Sequence, residues 1–206
     1  MKANDIPLDA RVECTDETCG RITHVVLKSD TREVTHIVVQ ENGVFNPPRV
    51  VPISLVEGST PERVQLHCTH DELGTFPSFT ETEFVQTEMP GYVNGPYSMP
   101  TYYPAIQPVE IEHEMIPQGE LALRRGARVL ATDGQIGRVD GVLVDPKTED
   151  VTHLVLRQGH LWAARDIAVP VSEIADMDED EVRIKLDKEG VEALPSIPLR
   201  GPKEEN

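Results

Sequence analysis

The chain has 206 residues, of which 38% are hydrophobic and 27% charged, with a formal net charge of −17 and a pI of about 4.7. That length holds one large domain or two small ones, in an ordinary globular composition. The acidic balance repels nucleic-acid phosphates and anionic lipid headgroups, and no apolar run approaches the ~20 residues that span a bilayer.

The first stretch, "MKANDIPLDARVE", has no apolar core of the kind a secretory signal needs. Three cysteines, Cys14, Cys19 and Cys68, do not make a disulfide framework. The expected location is therefore a reducing cytoplasm. From Ala10 onward, short runs of Val, Ile, Leu and Thr broken by turn residues read as β-strands. "TDETCG" reads as a tight turn, and Gly43 marks the next one. Val64, Leu66 and Cys68 alternate with polar residues, as in a half-buried strand. Thr69 and Glu72 are spaced for a capping box on a short helix that Pro77 limits.

Residues 80–120 change character. No Lys or Arg occurs from Asp71 to Leu123, and all four tyrosines (Tyr92, Tyr97, Tyr102 and Tyr103) lie here. Pro90, Pro96, Pro100, Pro104 and Pro108 forbid regular helix and discourage a central strand. The expectation is a semi-extended acidic linker partly wrapping the flanking domains. A docking segment with the tyrosines as anchors is its rival.

The chain then repeats itself. With Ala10 set against Ala127, thirteen of thirty positions are identical without a gap. One extra residue in the second copy falls near "GHLW", after which Pro52 meets Pro170 and Ser54 meets Ser172. A unit of about 70 residues is too long for a solenoid repeat and suits a small domain. "TDGQIG" and Asp145-Pro146-Lys147-Thr148 are turns, Gly159 matches Gly43, and Val182, Ile184 and Leu186 alternate like their counterparts. Asp187 is the N-cap of the closing helix, which Pro195 limits. "VTHIVV" and "VTHLVL" are apolar on both faces. One face is expected to fill a barrel interior and the other to pack on the sister copy, since so small a barrel has a thin core.

Three segments of the second copy, Gly126 to Thr148, Val151 to Trp162 and Asp166 to Ile174, together resemble the PRC-barrel domain. The first copy is a more diverged match. That family is named for the cytoplasmic part of the H subunit of photosynthetic reaction centres and also forms the C-terminal domain of a ribosome-maturation factor. The resemblance implies a small, partly open β-barrel and a role in assembly or protein docking, with no catalytic residues to carry over. The H subunit's N-terminal membrane helix is not seen here, and a second barrel stands where the ribosome factor has a different domain.

The expected fold is mainly β: two tandem, partly open PRC-barrel-like domains, each closed by a short helix, packed as a pseudo-two-fold pair. The expected division is 8–79 for the first domain, 80–120 for the linker, 121–198 for the second domain and 199–206 for a tail.

Candidate chemistry is sparse. His36 and His153 occupy the same position in the two copies, and could meet at a metal site or pH-sensitive contact if the barrels pair about a two-fold axis; the plainer reading is a strand histidine in each copy. "HCTHD" gathers His67, Cys68 and His70, but His67 and Cys68 face opposite sides of a strand. Cys14 and Cys19 flank a turn and could pair under oxidation. Ala131 and Ile136 in the second copy favour buried thiols instead. Asp178 to Glu181 read as a solvated turn. Phe45 and Trp162 lie near the matching turns, as core closure or as anchors for a partner. There is no phosphate-binding loop and no nucleophile–base–acid order. The expectation is therefore a non-catalytic docking or assembly protein with no cofactor and an unidentified protein partner. The barrels would pair within the chain, and a homodimer is compatible with the sequence. The alternatives are a metal- or pH-responsive module, or an accessory in ribosome or photosynthetic-complex assembly by family analogy.

Overall fold

The computed structural model describes residues 4–43, 46–93, 101–145, 147–159 and 165–196, and for 4–5, 82–93 and 101–112 the backbone alone. The chain divides into two compact units, 1–79 with 116–206, and Thr80–Met115.

In the larger unit the first half runs β1 (Asn4–Pro7), β2 (Arg11–Glu13), β3 (Thr18–Lys28), β4 (Val34–Glu41), β5 (Arg49–Pro52), β6 (Val56–Ser59), β7 (Arg63–Leu66) and α1 (His70–Leu73). The smaller unit is β8 (Thr80–Val93) and β9 (Thr101–Glu114). The second half runs β10 (Glu120–Arg124), β11 (Arg128–Ala131), β12 (Gly134–Val144), β13 (Val151–Gln158), β14 (Arg165–Pro170), β15 (Ile174–Met177), β16 (Glu181–Ile184) and α2 (Lys188–Glu192). The protein is mainly β. Two seven-stranded sheets have the orders β5-β4-β3-β2-β7-β6 and β14-β13-β12-β11-β16-β15, the same path in each half. Among the described residues, strand pairing closes neither sheet into a barrel.

The local signals act as the residue types demand. Val64, Leu66 and Cys68 are buried while Gln65 and His67 are exposed. The Thr69 side chain caps the Glu72 amide, and the Glu72 carboxylate returns to the Thr69 amide, which together satisfy two orphan donors. Asp187 caps α2 through the Gly190 amide.

The seventh strand of each sheet comes from the other half. β1 pairs antiparallel with β12, Ile6 opposite Val142, and β10 pairs antiparallel with β3, Leu123 opposite Val25. The two registers are the same once the copies are aligned. The chain crosses between sheets at Leu8–Ala10 and again at Arg125–Ala127. At these crossings Asp9 (φ 84°) and its counterpart Gly126 (φ 85°) take the left-handed conformation that favours glycine. Gly141 allows the exchange, because a Cβ there would stand 2.9 Å from the Ile6 carbonyl oxygen.

One apolar cluster runs through both halves, from Ile6, Val12 and Ile37 to Val129, Leu154 and Val191. The outer faces differ from expectation. Val26, Val38 and Ala122 form a separate cluster under Phe79, with Val50 and Ile116 packed on it, and Leu143, Val155 and Ala168 form another in the second half. The second apolar face of β4 is therefore covered by segments flanking β8 and β9, not by the sister copy.

Where the sequence suggested a semi-extended segment, Thr80–Val93 and Thr101–Glu114 pair as two antiparallel strands. Proline is compatible with this because both strands of a two-stranded ribbon are edges. Pro90 stands opposite Pro104, and neither has an N–H, so this is a non-hydrogen-bonded pair whose nitrogens turn outward. Pro108, four residues on and opposite Gln86, has the same parity.

Candidate functional site

Polar side chains concentrate in two places in the larger unit. The first is the strand crossing. Arg125 donates to Asp9 Oδ2 at 2.7 Å and to Asp140 Oδ1 at 3.0 Å. Asp140 is only 3% exposed, and Arg157 stands 3.7 Å from its second oxygen. Arg21 reaches Asp9 from β3 at 3.4 Å. Further along the two sheets, Val34 and Val151 donate to the carbonyls of Glu149 and Arg32, and Arg32 donates to Val171 O at 2.6 Å. Of these, the Arg125–Asp9 pair and the bonds of Val34, Val151 and Arg32 tie the two halves together.

The second place is the β2–β3 turn with the start of α1. Cys14 and Cys19 form a disulfide across a Cα separation of 6.0 Å. This corrects the expectation of two free thiols. The turn brings the two sulfurs together, and the apolar Ala131 and Ile136 of the other copy do not report on that. Asp16, at the tip, accepts from the His70 amide at 3.0 Å and from the Glu17 amide at 3.1 Å. Its second-copy counterpart, Asp133, accepts from the Lys188 amide in the same way. Thr15 N donates to the Cys68 carbonyl at 3.0 Å, so all three cysteines gather at this end.

His70 lies between two carboxylates, with Nδ1 2.7 Å from Glu17 Oε1 and Nε2 3.5 Å from Glu41 Oε2. The hydrogen bond to Glu17 raises its pKa above the usual imidazole value, with Glu41 adding to the effect. Glu41 is 7% exposed and held by Arg49 at 2.9 Å. The Cys68 thiol is buried, and burial pushes its pKa up, with Glu72 and Asp16 adding to that. It is a neutral core thiol at pH 7.

The other candidates separate. His67 is exposed just after β7 and paired with Glu57 at 2.6 Å, so "HCTHD" does not converge. His36 faces Glu120 at 3.8 Å, whereas His153 lies against Thr152 at 3.1 Å. The bridge between Glu33 and Asp150 is antiparallel, and each histidine stands three residues beyond it in opposite directions. At ~3.3 Å per residue they are about 20 Å apart. Among the described residues, Cys14, Asp16 and Cys19 are the group of potential metal ligands that does converge, within 4.8 Å. Sequence reasoning treated the two cysteines without Asp16; their spacing around one turn was the signal available. Tyr92, Tyr102 and Tyr103 lie in β8 and β9, where the backbone alone is described, and Tyr97, Phe45 and Trp162 fall outside the described residues.

A mainly β body of two sheets with the same strand order, joined by exchanged strands, is the class of protein these features define. The family model of the PRC-barrel domain matches residues 125–191, the part of the chain that carries the resemblance read from the sequence. No curated protein matches the chain. No helix among the described residues is long and apolar enough to cross a membrane.

Proposed function

We propose that the chain is a non-catalytic docking or assembly module. In this reading two partly open PRC-type barrels form a pseudo-two-fold pair by exchanging β1 and β10. The exchange builds a rigid body, and the β8–β9 hairpin is its recognition element. The observation that carries the reading is that, among the described residues, β8 and β9 pair only with each other. An isolated two-stranded ribbon is marginal in water and gains from a partner.

The hairpin's chemistry indicates which partner. It holds six glutamates and no Lys or Arg, which favours a basic protein surface and disfavours nucleic acid. Outward-turned prolines interrupt both outer edges, and the longest proline-free stretch is β8 from Thr80 to Met89. That stretch can take an added strand through its backbone.

The test is affinity capture with the full chain and with a chain whose residues 82–112 are replaced by a short Gly-Ser turn, at low and high salt. A basic partner held by the full chain, released by salt and lost with the replacement is the expected result. A partner held equally by both chains would move recognition to the barrels, and capture of nothing specific would remove the docking reading.

A further inference from the structure

Three positions at one end of the first half carry sulfur where the second half carries Ala131, Ile136 and Leu186. The fold is built without sulfur in that copy, so packing alone does not require Cys14, Cys19 and Cys68. Cys14 Sγ, Cys19 Sγ and a carboxylate oxygen of Asp16 lie within 4.8 Å of one another. We propose that these three residues are a thiol-gated site for a thiophilic divalent cation of the zinc type. The Cys14–Cys19 disulfide is the closed form, and the reduced pair with Asp16 is the ligand set.

The geometry suits such an ion. Two thiolates bound at ~2.3 Å to a tetrahedral centre stand about 3.8 Å apart, inside the present spread of the group. The pair is already brought together by the turn, with its α-carbons 6.0 Å apart. Asp16 is held in place by the His70 and Glu17 amides on Oδ1, while its Oδ2 has only a longer contact of 3.3 Å to the His70 amide. One oxygen therefore orients the carboxylate and the other remains available to a cation, the division of labour expected around a metal ligand. Two thiolates and one carboxylate leave a fourth position for water. Asp133 makes the same amide contact without cysteines beside it, so capping accounts for where Asp16 sits, and the two sulfurs are what the first copy adds.

The chemistry balances with a dithiol as reductant. It delivers two electrons and two protons, the Cys14–Cys19 bond breaks, two thiols form, and the reductant becomes a disulfide. The cation then displaces both thiol protons to water as two Sγ–metal bonds form.

The probe is Co2+, which takes the ligands Zn2+ takes and reports thiolate binding by ultraviolet charge-transfer absorption. The full chain is titrated after reduction by a phosphine and again as the disulfide. The reduced chain should bind one equivalent with thiolate absorption, displaced by Zn2+, and the disulfide form should show no such band. Cys14→Ser and Cys19→Ser should abolish the band. Asp16→Asn should weaken binding about tenfold or more, and Cys68→Ser and His70→Gln should leave it in place. Should the serine variants fail to fold, alkylation of the reduced native chain replaces them, with circular dichroism confirming that the fold survives. A reduced chain without the band overturns the proposal. So does a band that survives loss of Cys14 and Cys19, or one that disappears with Cys68→Ser.

Discussion

Asp9 Oδ2 accepts a hydrogen bond from Arg125 Nη1 at 2.7 Å, joining the two segments at which the chain crosses between sheets. Arg125 also serves Asp140, a carboxylate 3% exposed on β12. The guanidinium thus helps compensate a buried charge. Arg125→Met keeps the apolar stem and removes the charge, and should cost about 3 kcal/mol in urea unfolding. Arg21→Met, whose pair with Asp9 is largely exposed, should cost under about 1 kcal/mol. Equal costs would show that the crossing carries no special weight.

The strand exchange makes a non-local prediction. Ile6 and Leu123 are 1% and 0% exposed, so each change to alanine should cost about 2–5 kcal/mol. Ile6→Ala should lower amide-exchange protection in β12, and Leu123→Ala should lower it in β3. Protection lost instead from the sheet next in sequence would contradict the exchange.

Gly141 lies under β1, where a Cβ would meet the Ile6 carbonyl oxygen at 2.9 Å and Pro7 Cα at 3.1 Å. Both obstacles are backbone and cannot swing aside. Gly141→Ala should destabilise by about 1–3 kcal/mol and expose β1 to proteolysis. A thermal midpoint unchanged by the substitution would mean that β1 does not rest there.

His24, the first-copy counterpart of Gly141, packs on Phe79 with ring centroids 4.8 Å apart. Burial lowers its pKa from 6.5 to about 4, with the Arg124 charge contributing. The folded imidazole is therefore neutral where an unfolded one takes a proton. Stability should fall as pH drops from 6.5 toward 4, by ~2–3 kcal/mol from this residue. His24→Gln should flatten that part of the curve, read as the difference between the two proteins. A difference that does not change with pH would refute the assignment.

Gln86 stands opposite Pro108, so its amide already points away from β9. Gln86→Pro removes one outward donor from the β8 edge while leaving the hairpin ladder intact. If a partner adds as a strand on β8, capture should weaken about tenfold or more, since a lost buried amide bond costs about 1–3 kcal/mol. Retained capture would place recognition away from that edge.

The sequence by itself determined the duplication, the β class, the caps and the alternating strands. Each depends on residues within a few positions of one another, as Thr69 with Glu72 or Val64 with Leu66 do. It also carried the PRC-barrel likeness between Gly126 and Ile174, because that pattern is local to one copy. Which sheet a strand joins depends on a different comparison. β1 has an equivalent site in both sheets, and the repeat that reveals the duplication makes those sites alike. The tertiary structure decided the exchange through contacts between distant parts of the chain: Ile6 under Val142, Arg125 between Asp9 and Asp140, and Phe79 over Val26. The hairpin was likewise decided by pairing, since prolines that discourage a central strand are compatible with a ribbon made only of edges. The separation of His36 from His153, and the meeting of Cys14, Cys19 and Asp16, follow from strand direction and turn geometry, which residue types leave open.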